Sequence, residues 1–232
     1  MGHRRHPKRP PAQAGVRVRG LFITLEGNEG SGKSTQVSLL AKRFAALGRD
    51  VLTLREPGGT PIGEEIRHTL KHSAVNQAMT PEAELLLMNA SRAQLVREVI
   101  RPALAAGKVV LCDRFYDSTT AYQGYGRRLE LSVIQAVIDF AVGSTRPDLT
   151  LLLVVPPEVS AQRLIARQAT LPFMRDRIEE ADRSFFERVA EGYQAILTAE
   201  PARVKLVEAV GEIDQIAAAI WTRIDGQGLV AG

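Results

Sequence analysis

Eight consecutive residues, Gly27, Asn28, Glu29, Gly30, Ser31, Gly32, Lys33 and Ser34, follow the G-x-x-x-x-G-K-S spacing of a phosphate-binding loop. Glycines at those positions let the backbone wrap closely enough for its N–H groups to face phosphate oxygens. A helix starting there adds a field that favours an anion. Lys33 has the reach to neutralise charge at the β- and γ-phosphates of a nucleotide, and the Ser34 hydroxyl is an oxygen ligand suited to Mg²⁺. Thr35 closes the nucleotide-binding run and reads as a helix residue rather than a second ligand. The pair Asp113-Arg114 ends an apolar stretch, which puts a carboxylate able to organise Mg²⁺ or its waters next to a guanidinium suited to a phosphate. A surface ion pair is the plainer alternative.

Arginines recur at chemically useful spacings elsewhere. Met88 and Arg92 are four apart and share one helical face. Arg163 and Arg167 repeat that spacing and precede Arg175-Asp176-Arg177-Ile178-Glu179 across the uncharged QATLPFM. This segment is either a lid that carries arginines to a migrating phosphoryl group while excluding water, or an exposed helix laced with salt bridges. A phosphate loop alone leaves GTPases, motor ATPases and small-molecule kinases open. An Asn-Lys-x-Asp guanine reader is absent from the sequence, which argues against a GTPase.

These residues need elements to hold them. Residues 21–27, LFITLEG, read as a short buried strand stopped by glycine, and the helix after it places Val37, Leu40, Ala41, Phe44 and Leu47 at helical spacing before Gly48. Further strands are expected at 50–54, 108–113, 149–155 and 203–208. A helix is expected from Thr80-Pro81 until Pro102 helps to end it. Strands alternating with helices predict an α/β fold, a parallel sheet covered on both faces, with ligands beyond the C-terminal ends of its strands.

Composition narrows the field. At 232 residues, with 45% hydrophobic and 24% charged residues, the chain suits one globular domain. The single cysteine, Cys112, excludes an internal disulfide framework and a Cys-rich zinc site, and a reducing compartment such as the cytoplasm is expected. No apolar run is long enough to span a bilayer, so no membrane partner is expected. Aromatic residues at 5% do not suggest a stacking platform for nucleic acid. The net charge of +4 resides in residues 1–20, which hold six basic residues and no acid and leave the body at −2. That leader reads as a disordered extension or an over-early start, with a nucleic-acid tether or organelle address as alternatives. The predicted division is a basic leader over 1–20 and a domain over 21–232.

The segments GNEGSGKST, LREPGGT (54–60), SRAQLV (91–96), DRFYDSTTAYQG (113–124), RPDLTLLL (146–153) and DRIE (176–179) are similar, in order and approximate spacing, to those of bacterial thymidylate kinases. The resemblance covers about residues 20–225. It implies the P-loop nucleoside monophosphate kinase fold, with a five-stranded parallel sheet flanked by helices and a lid at about 167–180. It also implies transfer of the γ-phosphoryl of ATP to dTMP with Mg²⁺, and a homodimer with no nucleic-acid partner. By the same resemblance Glu29 approaches the deoxyribose 3′-hydroxyl, and Arg114 bridges to the acceptor phosphate. Arg92 reaches the thymine, Thr119 and Gln123 face the nucleoside, and Tyr122 crowds the sugar 2′ position. Arg55, Glu56 and Pro57 line the acceptor pocket. Ser31 stands where some relatives carry a catalytic arginine, so the lid is expected to supply that charge through Arg167 and Arg175, with Arg163 behind them. Met88 replaces the phenylalanine that stacks on thymine in the family, and a thioether covers a base face more weakly than a ring. The apolar faces around 85–100 and 131–142 suit either packing between subunits or the internal core.

Overall fold

Strand β1 (Leu21–Glu26) is buried along its whole length, as its unbroken apolar run requires of a strand covered on both faces. In the computed structural model, which describes residues 20–170, 177–178 and 182–230, it is the central strand of a five-stranded parallel sheet. The chain continues through α1 (Lys33–Ala46), β2 (Val51–Arg55), α2 (Pro61–Lys71), α3 (Pro81–Leu95), α4 (Arg101–Ala105) and β3 (Val109–Asp113). After these come α5 (Tyr116–Thr119), α6 (Leu131–Val142), β4 (Leu149–Val154), α7 (Pro157–Thr170), α8 (Arg183–Ala199), β5 (Val204–Glu208) and α9 (Ile213–Asp225). The predicted leader lies outside the described residues, apart from Gly20.

The strand order is β2-β3-β1-β4-β5. The crossover from β1 runs toward β2 and that from β3 runs the other way, toward β4, so the loops after these two neighbouring strands diverge. A crevice opens between their C-terminal ends, where α/β sheets bind ligands. Register places Leu25 beside Asp113, so the phosphate loop after β1 and the Asp113-Arg114 pair after β3 emerge side by side.

Alternation along β1 divides the core. Leu21, Ile23 and Leu25 face α1 and α9, packing with Phe44, Ile216 and Ile220. Phe22 faces the other side, with Leu95, Ile100, Phe115 and Ile138. A third cluster joins Tyr122, Phe185, Val189 and Tyr193. The polar Glu26 belongs to the Phe22 side, completely buried, at the end nearest the crevice.

Helix starts follow local chemistry. Thr60 and Thr80 each accept a backbone N–H from the first turn and are followed by proline, whose missing N–H costs nothing there. The expectation that Pro102 helps to end the third helix is corrected. A π turn over Val96–Ile100 carries the chain on into α4, as far as Ala105. The widened turn, in which the Arg101 N–H reaches back to the Val96 carbonyl, shifts the hydrogen-bond ladder just where proline brings no donor.

Helices α3 and α6 divide their apolar residues between two duties. Leu85, Leu95, Ile134 and Ile138 enter the core, whereas Leu86, Val133 and Phe140 remain outside, Phe140 with 84% exposure.

Candidate active site

The phosphate loop is formed as its sequence requires. Gly27 has φ +132°, and a Cβ there would meet the Leu153 carbonyl oxygen at 2.1 Å, so only glycine fits so close to β4. Lys33 folds back over the loop, with Nζ donating to the carbonyls of Gly27 at 3.1 Å and Asn28 at 2.9 Å and to Ser31 Oγ at 3.3 Å. Burial, followed by the positive charge of Arg114, lowers its pKa to about 8, with Glu29 and Asp113 opposing the shift. Ser34 Oγ donates to Asp113 Oδ2 at 2.6 Å, so the loop hydroxyl and the β3 carboxylate meet. These hard oxygens fit Mg²⁺. No group of three or more His, Cys, Asp or Glu that could hold a metal occurs among the described residues. An ion at Ser34 and Asp113 would therefore complete its shell with water and nucleotide phosphates, as Mg²⁺ commonly does.

Arg114 adopts φ +71°, an unusual conformation for a non-glycine residue, and its N–H bonds the Leu25 carbonyl at 3.0 Å. Its Nη2 donates to Glu29 Oε1 at 2.7 Å and to the Tyr122 hydroxyl at 3.2 Å. Burial alone would raise the Glu29 carboxyl, but Arg114, Lys33 and Lys71 together hold it well below the usual range. Tyr122 is pushed up to about 12 by burial and stays a neutral phenol.

Arg92 is the buried hub of the opposite wall. All three of its nitrogens are engaged. Nε donates to Glu56 Oε2 at 2.8 Å, and Nη2 lies 2.7 Å from the same oxygen in an ion pair. Nη1 donates to Asn89 and Thr119 at 2.8 Å each, and Nη2 also reaches the Phe115 carbonyl at 3.1 Å. Glu56 Oε1 has no partner among the described residues, and burial, only partly offset by Arg92, raises this carboxyl to about 7. Gln123 Nε2 donates to Glu84 Oε1 at 2.7 Å, and Glu84 also binds Arg127 at 3.0 Å and Arg177. Arg177 belongs to the predicted lid at about 167–180, where the DRIE resemblance makes it a structural or adenine-side residue, and it meets α3 through Glu84.

One cavity of about 460 Å³ joins these groups. Glu29, Gly30, Gly32, Lys33, Ser34 and Thr35 form one end, and Met88, Arg92, Thr119, Tyr122 and Gln123 the other. Arg114 and Asp113 lie with them, and Arg55, Glu56 and Pro57 line the side. Gly27, Asn28 and Ser31 support the loop from behind through the contacts with Lys33. A family model for thymidylate kinase matches residues 25–220. The chain belongs to the thymidylate kinase family. It is 50% identical over 197 residues to a thymidylate kinase of Pseudomonas fluorescens, covering 85% of this chain and 91% of the relative. A thymidylate kinase of Chlorobium luteolum is 46% identical over 204 residues, covering 86% and 94%. The crystal structure of thymidylate kinase from Ehrlichia chaffeensis superimposes with a TM-score of 0.72 at 29% identity, covering 89% of this chain and 99% of that one.

Within this thymidylate kinase scaffold, two expected lid residues stay open: Arg175 and the side chain of Arg167 lie outside the described residues. Arg163 is placed, donating from Nη1 to the Gly30 carbonyl at 3.2 Å. Sequence reasoning did not single out Glu26, Arg67, Lys71, Ser118, Ser160 or Tyr193. Arg67, Lys71 and Ser118 line the cavity, and Ser160 Oγ holds the Glu29 carbonyl at 2.7 Å. Glu26 alone carried a usable signal, as a carboxylate ending an otherwise apolar strand.

Proposed function

We propose that this chain phosphorylates dTMP to dTDP with ATP, a step toward dTTP, by aligning two anions in one cavity. The observation that carries the reading is the single cavity lined both by the phosphate loop and by Met88, Thr119, Tyr122 and Gln123, with Arg114 among them. An oxygen of the dTMP phosphate attacks the γ-phosphorus of ATP, the bond to the β-bridging oxygen breaks, and ADP leaves. The acceptor is already an anion at neutral pH, so positioning and charge stabilisation suffice without a covalent enzyme nucleophile. Lys33 and the loop N–H groups hold the donor phosphates, and Arg114 holds the acceptor phosphate against them. Ser34 and Asp113 would hold Mg²⁺, which would supply charge neutralisation to the donor phosphates. Arg167 and Arg175 are the proposed lid contributors of positive charge. Glu29 and Tyr122 stand for the sugar, and Met88, Thr119 and Gln123 for the base, with Arg92 holding Thr119 and Glu56 in place behind them. With its one cysteine completely buried, the protein suits the cytoplasm.

The test is ADP release with ATP and Mg²⁺ against dTMP, dUMP, ribothymidine monophosphate and CMP. We expect kcat/KM for dTMP to exceed that for dUMP by about tenfold, the low end of the discrimination a methyl group earns in an apolar pocket. Met88→Phe should raise kcat/KM for dTMP and dUMP alike by a few-fold, because a ring adds about 0.5–1.5 kcal/mol of stacking on either base. Equal rates with dUMP would remove the assignment to dTMP.

The working unit we propose is a homodimer joined through Leu86 of α3 and Val133 and Phe140 of α6, an exposed apolar strip with a groove beside it. Light scattering on the purified chain should give twice the chain mass, and Phe140→Asp should halve it. A wild-type monomer at micromolar concentration would end this assignment.

A further inference from the structure

The polar contacts of Arg114 divide between its two terminal nitrogens. Nη2 points toward Glu29 and Tyr122, which line the cavity. Nη1 is turned away from that pair, donating to Ser118 Oγ at 3.0 Å and to the Tyr193 hydroxyl at 3.2 Å. Both hydroxyls donate in turn to one oxygen, Glu26 Oε2, at 2.6 Å from Ser118 and 3.0 Å from Tyr193. The other oxygen of Glu26 accepts the Phe115 N–H at 2.7 Å, one residue beyond the left-handed Arg114. A carboxylate at the end of β1 therefore holds both the backbone turn that carries Arg114 and the two hydroxyls that grip its side chain.

A guanidinium is planar and rigid, so fixing one terminal nitrogen determines where the other points. Without the grip on Nη1, the long arginine side chain regains rotamers that no longer face the cavity. The hydroxyls are well suited to this duty. Burial, followed by the charge of Glu26, raises the Tyr193 phenol well above its ordinary value, so it keeps its proton to give to Glu26 and its lone pairs to accept from Arg114. Its ring packs edge-on to Tyr122 at 6.3 Å and lies in the cluster with Phe185 and Val189, so ring position and hydroxyl position are set separately.

We infer that Tyr193 of α8 is a positioning residue for phosphoryl transfer, its hydroxyl and that of Ser118 linking Arg114 to the buried Glu26 so that the guanidinium faces the acceptor phosphate. The inference rests on the reading that Arg114 holds that phosphate. It assigns a function to the residue of α8 that reaches across to β1.

Tyr193→Phe keeps the ring and removes only the hydroxyl. We expect kcat/KM for dTMP to fall about tenfold, KM for ATP to stay within twofold, and the thermal midpoint to move little. Paired with Arg114→Ala in a double-mutant cycle, Tyr193→Phe should have no further effect, because a residue that acts through Arg114 has nothing left to act on. Ser118→Ala cuts the same link at the hydroxyl that lies 3.1 Å from that of Tyr193, and should show the same loss and the same non-additivity. If the tenfold loss recurs in full on the Arg114→Ala background, or both hydroxyl variants match wild type while Arg114→Ala is impaired, the positioning role is overturned and the Arg114 reading stands. If Arg114→Ala itself turns over dTMP like wild type, the Arg114 reading fails, and the inference fails with it.

Discussion

Lys33→Ala is expected to lower kcat with dTMP by roughly 10²–10³-fold, the scale seen when one preorganised donor to developing charge is removed. The chain should still fold. Lys33 contributes no apolar anchor to the core, and its three hydrogen bonds are all to the loop around it. The same residue should write itself into the pH profile. Burial and Arg114 lower the Lys33 pKa to about 8, so the ammonium is charged below that pH and neutral above it. The profile of kcat/KM for ATP reports the free enzyme and should fall as pH rises through about 8. Bound phosphates favour the charged form, so the corresponding limb of kcat should lie at higher pH. Stopped or coupled assays from pH 6.5 to 10 would show both limbs. A flat kcat/KM profile across pH 7–9.5 would mean that the Lys33 charge is not required for capturing the donor.

The second large effect concerns stability. Arg92→Ala should destabilise the protein by about 3–5 kcal/mol at neutral pH, because it strands Glu56 as an uncompensated buried group. It also leaves Asn89 Oδ1, Thr119 Oγ1 and the Phe115 carbonyl without the donor they now share. The pH dependence has a definite sign. The Glu56 carboxyl, ordinarily near 4.5, stands at about 7 in the folded protein even with Arg92 beside it. The folded state therefore binds its proton more tightly, and the stability this group contributes is present below about pH 4.5 and lost as pH rises through about 7. Removing Arg92 raises the folded value further, so the deficit of the variant should grow from pH 5 to pH 8.5. Urea unfolding at those pH values would measure it. The double change Arg92→Met with Glu56→Leu should recover much of the lost stability, though not dTMP turnover, since replacing both members of a buried pair is often neutral. A single variant that unfolds with wild type at every pH would show that the pair does not hold this wall.

Much of this was legible along the chain, and the reason is local. A phosphate loop works through backbone N–H groups, so Gly27 to Ser34 must be contiguous and their spacing alone announces them. The parallel sheet followed from the alternation of buried strands with helices, though its strand order did not, and Thr80-Pro81 marks a helix start by chemistry confined to four residues. The helix through Pro102 was misread for the converse reason. Whether a proline stops a helix or is absorbed by a π turn depends on the packing of Val96 and Ile100, both completely buried in the core.

What only the tertiary structure decided is which charges meet. Asp113 and Ser34 lie 79 residues apart, Arg114 and Glu29 85, and Tyr193 and Glu26 167. No spacing rule links such pairs, because the contact arises from the register of β1 against β3 and from α8 returning across the sheet. Arg92 shows the limit most clearly. Its helical position could be read from sequence, but in the fold burial commits all three of its nitrogens to protein acceptors, Glu56 foremost among them. The sequence by itself determined the chemistry available to this protein, phosphate binding and phosphoryl transfer. The fold decided the orientation of each charge, because orientation is set by neighbours that the chain brings together only when the sheet closes.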